Sequence, residues 1–126
     1  MRLAAGAVVL AVGTGAAFAQ PYPDAVQCAA YWLGRADYAA ATTYLPGEDS
    51  AHTIGEAFRL VALRLSDDPV KTEAYIEDQR GLMMLLLDAH IYSNDSQSRD
   101  LSERLIARCG ELAMTYGETR DLIHPE

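Results

Sequence analysis

The apolar run from residue 81 to residue 92 is the sequence feature that most constrains the fold. It reads GLMMLLLDAHIY and forms the second half of a predicted helix of about Pro69 to Tyr92, helix three. On a helical wheel its apolar side chains fall on two opposite sides. A helix of this kind needs cover on at least one side, so the run predicts a bundle of helices around it.

The two apolar faces of helix three lead to different predictions. The face expected to lie in the core consists of Ala74, Tyr75, Leu82, Leu85, Leu86, Ala89 and Tyr92. The opposite face consists of Ile76, Met83, Met84, Leu87 and Ile91. Because methionine side chains suit adaptable contact surfaces, we predict that this second face binds a partner or a second copy. The alternative is an irregular bundle that covers helix three on both sides.

Three further helices are predicted, at about Asp24 to Tyr44, Thr53 to Ser66 and Ser98 to Tyr116. Thr53 and Glu56 have the spacing of a capping box at the start of helix two. Helix four carries a regular apolar stripe of Leu101, Leu105, Cys109, Leu112 and Tyr116. Four helices joined by short turns predict an all-α, up-down-up-down bundle.

The chain contains two cysteines, Cys28 and Cys109. Neither belongs to a metal-binding or haem-attachment motif, so a disulfide is the interpretation that suits an exported protein. Helices one and four are antiparallel neighbours in an up-down-up-down bundle, and both cysteines would then lie at the same end. The pair therefore predicts a disulfide that links helices one and four.

The first 19 residues have the pattern of a secretory signal peptide. One arginine precedes an uncharged apolar segment that closes with Ala17, Phe18 and Ala19. Removing these 19 residues from 126 leaves 107, which predicts one helical domain of residues 20–126 with a polar C-terminal tail. We expect a periplasmic or secreted bacterial protein that does not insert into a membrane after cleavage.

The charge of the chain argues against some classes of partner. Its formal net charge is −8, and loss of Arg2 with the leader makes it −9. An acidic protein repels the phosphates of nucleic acids and of anionic membrane surfaces. We therefore expect no nucleic-acid partner.

We predict no enzymatic activity, because no group of residues has the pattern of a catalytic or cofactor site. His52 and Glu56 are four residues apart, but no third ligand has a suitable spacing, so no metal site is expected. No nucleophile motif and no glycine-rich phosphate loop occur. Asp88 lies between the two apolar faces of helix three and is interpreted as a solvated carboxylate.

Tyr31, Arg35 and Tyr38 form a second candidate interface on the outer side of helix one. Tyrosine and arginine are the residue types that often anchor protein interfaces. The alternative is that the tyrosines cover a neighbouring helix within the bundle.

Three functions follow from these patterns. The first is a non-enzymatic, inhibitor-like or immunity-like module that binds an envelope or extracellular protein, or itself, through helix three. The second is a stress-responsive periplasmic chaperone whose carboxylates become protonated in acid. The third is a small-ligand carrier, with a pocket between the helices lined by Trp32, Phe58, Leu85 and Leu86.

Overall fold

The protein forms four α-helices and no strand within residues 21–123, the part of the chain described by a computed structural model. The helices are α1 (Pro21–Ala41), α2 (Glu48–Leu65), α3 (Pro69–Ile91) and α4 (Ser96–Ala113). The predicted all-α fold is thereby confirmed. The predicted signal peptide, residues 1–19, lies outside the described residues.

The contacts between helices give their directions. Tyr22 is hydrogen-bonded to Thr72 at 2.6 Å and Tyr38 to Asp88 at 3.0 Å, and both pairs are 50 residues apart in sequence, so α1 and α3 run parallel. The disulfide between Cys28 and Cys109 joins the early part of α1 to the late part of α4, which are therefore antiparallel. This arrangement is the up-down-up-down bundle that the sequence predicts.

The helix at the centre of the bundle is α1, which packs against all three of the others and makes the two most extensive helix contacts, with α2 and with α3. Its buried residues point in almost every direction around the helix: Ala25, Val26, Cys28, Ala29, Ala30, Tyr31, Leu33, Ala36 and Tyr38. Alanine side chains let neighbouring backbones approach closely. An alanine-rich helix can therefore be covered on several sides at once.

Two glycines allow these close approaches. A Cβ atom on Gly34 of α1 would lie 2.7 Å from the Arg80 carbonyl oxygen and 2.7 Å from the Met83 Cβ in α3. A Cβ atom on Gly55 of α2 would lie 2.8 Å from the backbone nitrogen of Leu33. All three distances are too short for a real Cβ atom, so α1 can pass this close to α2 and α3 only because residues 34 and 55 are glycines.

The start of α2 differs from the sequence prediction. The helix begins at Glu48 after Gly47, whose φ of 90° is in the left-handed region that glycine tolerates. Thr53 lies in the second turn, so the predicted capping box is wrong. The acidic residues Glu48 and Asp49 in the first turn explain the earlier start, because they interact favourably with the positive end of the helix dipole.

Aspartates cap the other two helices that follow turns. The Asp68 side chain accepts a hydrogen bond from the Lys71 backbone N–H at 3.2 Å, and α3 begins at Pro69, where the sequence predicts helix three to begin. The Asp95 side chain accepts one from the Ser98 N–H at 2.9 Å, so α4 begins at Ser96. Each cap satisfies a backbone donor that the first turn leaves without a helical partner.

The predicted disulfide is confirmed. Cys28 and Cys109 are both fully buried, with a Cα–Cα distance of 5.7 Å. A buried hydrogen bond of 2.7 Å between the hydroxyls of Tyr31 and Ser102 fixes α4 to α1 one turn further along.

The segment after α4 packs against α2. Glu118 accepts hydrogen bonds from Arg64 at 2.8 and 3.0 Å, and the Arg64 guanidinium lies 5.3 Å from the ring centre of Tyr116. Thr119 is fully buried, and its hydroxyl donates to the Ala113 carbonyl at 2.7 Å. These contacts place the start of the polar tail on the bundle.

Candidate functional site

The surface assigned from sequence to partner binding lies inside the bundle. Ile76 and Leu87 are fully buried and Met83 is 8% exposed, while Met84 and Ile91 are half-buried. These side chains offer no continuous surface to a second molecule. The prediction that this face of helix three is an interface is therefore wrong, and the alternative of a core face is correct.

The neighbours of these residues explain their burial. Met83 and Leu87 belong to a cluster with Tyr31 and Tyr38 of α1 and Leu105 of α4. Ile76 belongs to a second cluster, which α1 and α2 complete around Phe58, Val61 and the disulfide. The inner face of α3 thus contacts three helices along its length.

The opposite face of α3 is exposed instead. We call this surface the α3 outer face and define it by Tyr75, Leu82, Leu85 and Tyr92, which are 54%, 54%, 68% and 65% exposed. Their spacings of seven, three and seven residues place them along one side of the helix. Most of the face predicted to be core is therefore presented to solvent, although Leu86 and Ala89 of that set are half-buried and Leu86 packs against the cluster around Met83.

The α3 outer face also carries one charge of each sign, since the exposed Lys71 precedes Tyr75 by four residues and Asp78 by seven and so lies on the same side of the helix. Asp78 precedes Leu82 by four residues and Leu85 by seven, so it lies on the same side of the helix, and it is exposed. Arg80 is directed elsewhere, because its guanidinium donates to Asp37 of α1 at 2.8 and 2.9 Å and to Glu77 at 3.0 Å. These carboxylates raise the pKa of Arg80 above its ordinary value. An apolar surface with one acidic and one basic residue results.

The second candidate interface, on α1, is also mostly interior. Tyr31 is fully buried and Tyr38 is 2% exposed, so the prediction that they form a surface is wrong. Arg35 is half-buried; it donates to the Tyr31 hydroxyl at 3.1 Å and lies 5.5 Å from the ring centre of Trp32. The tyrosines cover neighbouring helices, which is the alternative that the sequence left open.

Tyr38 is buried because its hydroxyl has a partner at the edge of the bundle. It donates to the Asp88 carboxylate at 3.0 Å, and Asp88 itself is exposed. Burial and the Asp88 carboxylate together raise the pKa of Tyr38, so the phenol remains a donor. Asp88 is thus a boundary carboxylate that positions α3 on α1.

The pocket expected for a ligand carrier does not form at the predicted residues. Phe58 lies in the core, whereas Leu85 is 68% exposed, so the two do not line a common cavity. Within residues 21–123, no three histidine, cysteine, aspartate or glutamate side chains are placed to hold a metal ion. In the same range, no helix is both long enough and apolar enough to cross a membrane.

The sequence contained a signal for the outer face that apolar periodicity alone does not give. A straight helix keeps the same inner side along its length, so the polar first half of α3 indicates the orientation of its apolar second half. Asp78 lies in line with Leu82 and Leu85, and Ile76 lies in line with Met83. Extending the charged side of the helix forward would have assigned Leu82 and Leu85 to solvent.

Comparison with protein-family models, with curated proteins and with solved structures found no match to this chain.

Proposed function

We propose that the protein is an exported, non-enzymatic binding module that docks a second protein on the α3 outer face. The observation that carries the proposal is the exposure of Leu82, Leu85 and Tyr92, each more than half accessible, along one side of α3. Apolar side chains in a continuous row are unfavourable in water and favourable in a contact. The leader and the disulfide are compatible with export.

The net charge of the whole chain, rather than that of the face, supports a basic partner. Asp78 and Lys71 offset each other on the α3 outer face, whereas the chain has a net charge of −8. Opposite charges at the rim of an interface increase the rate of association and align the partner. A symmetric dimer would bring together two chains of the same negative net charge, so a second copy is a less favourable partner than a basic protein.

A photo-reactive amino acid at position 85 tests the proposal in cells that export the protein. We expect a covalent adduct between this chain and a different protein. The matched control is the same replacement at Leu60, an exposed leucine of α2 with 53% accessibility. Equal yields of adduct from positions 85 and 60 would show non-specific capture and contradict the proposal. An adduct formed only with a second copy of this chain would show that the α3 outer face forms a homodimer instead.

Variants then measure the contribution of the face to affinity. Leu85→Ala removes an apolar side chain that is two-thirds exposed, and its burial in a contact is worth about 1–2 kcal/mol. We expect the dissociation constant for the identified partner to rise about five- to thirtyfold, with no rise for Leu60→Ala. An unchanged dissociation constant for the Leu85→Ala variant would contradict the proposal.

The fold assignment is tested separately by two double variants. Leu82→Lys with Leu85→Lys should keep the native far-ultraviolet spectrum and a melting temperature close to that of the wild type. Met83→Lys with Leu87→Lys, shifted by only one and two positions, should unfold because it places two charges in the core. If instead the Leu82→Lys, Leu85→Lys variant unfolded and the Met83→Lys, Leu87→Lys variant kept its fold, the partner-binding face would be the Met83 side of α3.

A further inference from the structure

The segment that follows α4 closes a gap that the four helices leave open. Both α2 and α4 run antiparallel to α1, so their C-terminal ends lie beside the N-terminal end of α1, yet α2 and α4 make little contact with each other. Residues 114–123, which we call the C-terminal strap, cross from the end of α4 to Arg64 of α2. Tyr116 and Ile123 of the strap are half-buried and pack against the core cluster that contains the disulfide.

The disulfide lies close to the strap. Cys28 and Cys109 are fully buried within the cluster that the strap packs against. Ala113, one turn beyond Cys109 on α4, is also fully buried, and its carbonyl accepts a hydrogen bond from the Thr119 hydroxyl at 2.7 Å. The strap is therefore part of what separates the two sulfur atoms from solvent.

The attachment of the strap to the rest of the bundle is weak. Its backbone hydrogen bonds are local, such as that from the Thr119 N–H to the Tyr116 carbonyl at 3.2 Å. Within residues 21–123, its polar contacts to helices other than α4 are those of Arg64 with the Glu118 carboxylate and the Tyr116 ring. The Arg64 side chain is half exposed, and an ion pair in such a position contributes little to stability. Packing of Tyr116 and Ile123 thus provides most of the attachment.

Two openings of different size would expose the sulfur atoms. Detachment of α4 from α1 breaks the buried Tyr31–Ser102 hydrogen bond and removes Leu105 from the cluster that it shares with α1 and α3. Detachment of the strap breaks the contacts of Tyr116 and Ile123 and leaves the four helices packed. Proteins open locally at a fraction of their global stability, and segments with few buried apolar contacts open first. Release of the strap therefore requires less free energy than release of α4.

We infer that the C-terminal strap is a redox gate, which opens while the four helices stay packed and then admits a dithiol reductant to the Cys28–Cys109 bond. A thiolate of the reductant attacks one cysteine sulfur, the S–S bond breaks, and the other cysteine leaves as a thiolate. The second thiol of the reductant then attacks the mixed disulfide and releases the remaining cysteine. The dithiol loses two electrons and two protons, and the two cysteines gain them. This gate is independent of the proposed docking of a protein on the α3 outer face.

The first test measures how the rate of reduction by excess dithiothreitol depends on urea, at concentrations below the unfolding transition. Alkylation followed by intact mass gives the reduced fraction. Because release of the strap exposes little surface, we expect a rate that depends weakly on urea at low concentrations and rises steeply only near the transition. A rate with the full urea dependence of global unfolding, down to zero urea, would overturn the inference, because the bond would then be reached only by unfolding.

The second test weakens the strap directly. Ile123→Ala removes part of a side chain that packs against the core cluster, so the rate of reduction at low urea should rise about three- to tenfold. The matched control is Ile106→Ala, because Ile106 is 38% exposed on α4 and belongs to neither of the two core clusters within residues 21–123. This control should leave the rate at low urea unchanged. Equal effects of the two variants, or no effect of Ile123→Ala, would contradict a gate formed by the strap.

Hydrogen exchange measures the same opening without a reductant. The Arg120 backbone N–H donates to the Tyr116 carbonyl at 2.9 Å within the strap, so its exchange reports release of the strap. In Ile123→Ala, exchange at Arg120 should accelerate by the same factor as reduction of the disulfide, whereas exchange at Leu33, in the middle of α1, should not change. Faster reduction without faster exchange at Arg120 would place the opening elsewhere in the molecule and refute the gate.

Discussion

Replacement of Gly34 by alanine should destabilise the protein by forcing α1 and α3 apart. The new Cβ atom would lie 2.7 Å from the Arg80 carbonyl oxygen and 2.7 Å from the Met83 Cβ. Neither atom is the end of a flexible side chain, so relief of the overlap requires α3 itself to move. Met83 and Leu87 pack in the cluster beneath this contact, and a displaced α3 would loosen them.

The magnitude follows from two opposing terms. Alanine is favoured over glycine inside a helix by about 1 kcal/mol. Overpacking of a closely packed contact costs about 1–3 kcal/mol, and the upper part of that range applies because backbone is involved. We therefore expect Gly34→Ala to lower the free energy of unfolding by about 1–2 kcal/mol, and the melting temperature by about 4–8 °C for each kcal/mol.

Gly81→Ala is the matched control for this experiment. Gly81 is also inside a helix, but nothing lies within 4 Å of a Cβ atom built on it. The same substitution should therefore raise the free energy of unfolding by up to about 1 kcal/mol. Urea denaturation followed by circular dichroism, with the disulfide intact, measures both changes. A Gly34→Ala variant as stable as Gly81→Ala would refute the close approach of α1 and α3.

The remaining predictions concern the disulfide, the tail and the leader. The double variant Cys28→Ser with Cys109→Ser should lose about 2–5 kcal/mol in urea denaturation, and an unchanged midpoint would contradict a structural role for the bond. The Arg64 guanidinium holds the pKa of Glu118 below its ordinary 4.5, so the stability from this pair is present above 4.5 and is lost as the pH falls through the lowered value. The difference in unfolding free energy between wild type and Glu118→Gln should accordingly shrink on acidification, and a constant difference would refute the pairing. Exported protein should begin at Gln20 by intact mass, and retention of the leader would remove the argument for export.

The number of helices and the disulfide could be predicted because each depends on local or covalent features of the sequence. Asp68 with Pro69 marked the start of α3, since an aspartate cap followed by proline is a strong local signal. Cys28 and Cys109 constrained the directions of α1 and α4. Neither inference required knowledge of which helix face points inward.

The inward faces of α1 and α3 could not be read from apolar periodicity. Apolar residues surround the second half of α3, so the pattern does not distinguish the Leu85 face from the Leu87 face. Tyr31 and Tyr38 are amphipathic, and whether they are buried depends on partners such as Ser102 that lie far along the chain. Burial was therefore decided by tertiary hydrogen bonds and by the close approach at Gly34.

The central position of α1 has a consequence for the order in which the fold can form. Synthesis proceeds from the N-terminus, so the helix with the most buried surface emerges before any helix that covers it. The covalent link from Cys28 to α4 must wait for a cysteine 81 residues later in the chain. Until then, the growing α1–α2 hairpin exposes the surfaces of α1 that α3 and α4 later cover. The apolar surfaces of α1 are therefore covered completely only when the last helix of the chain has docked.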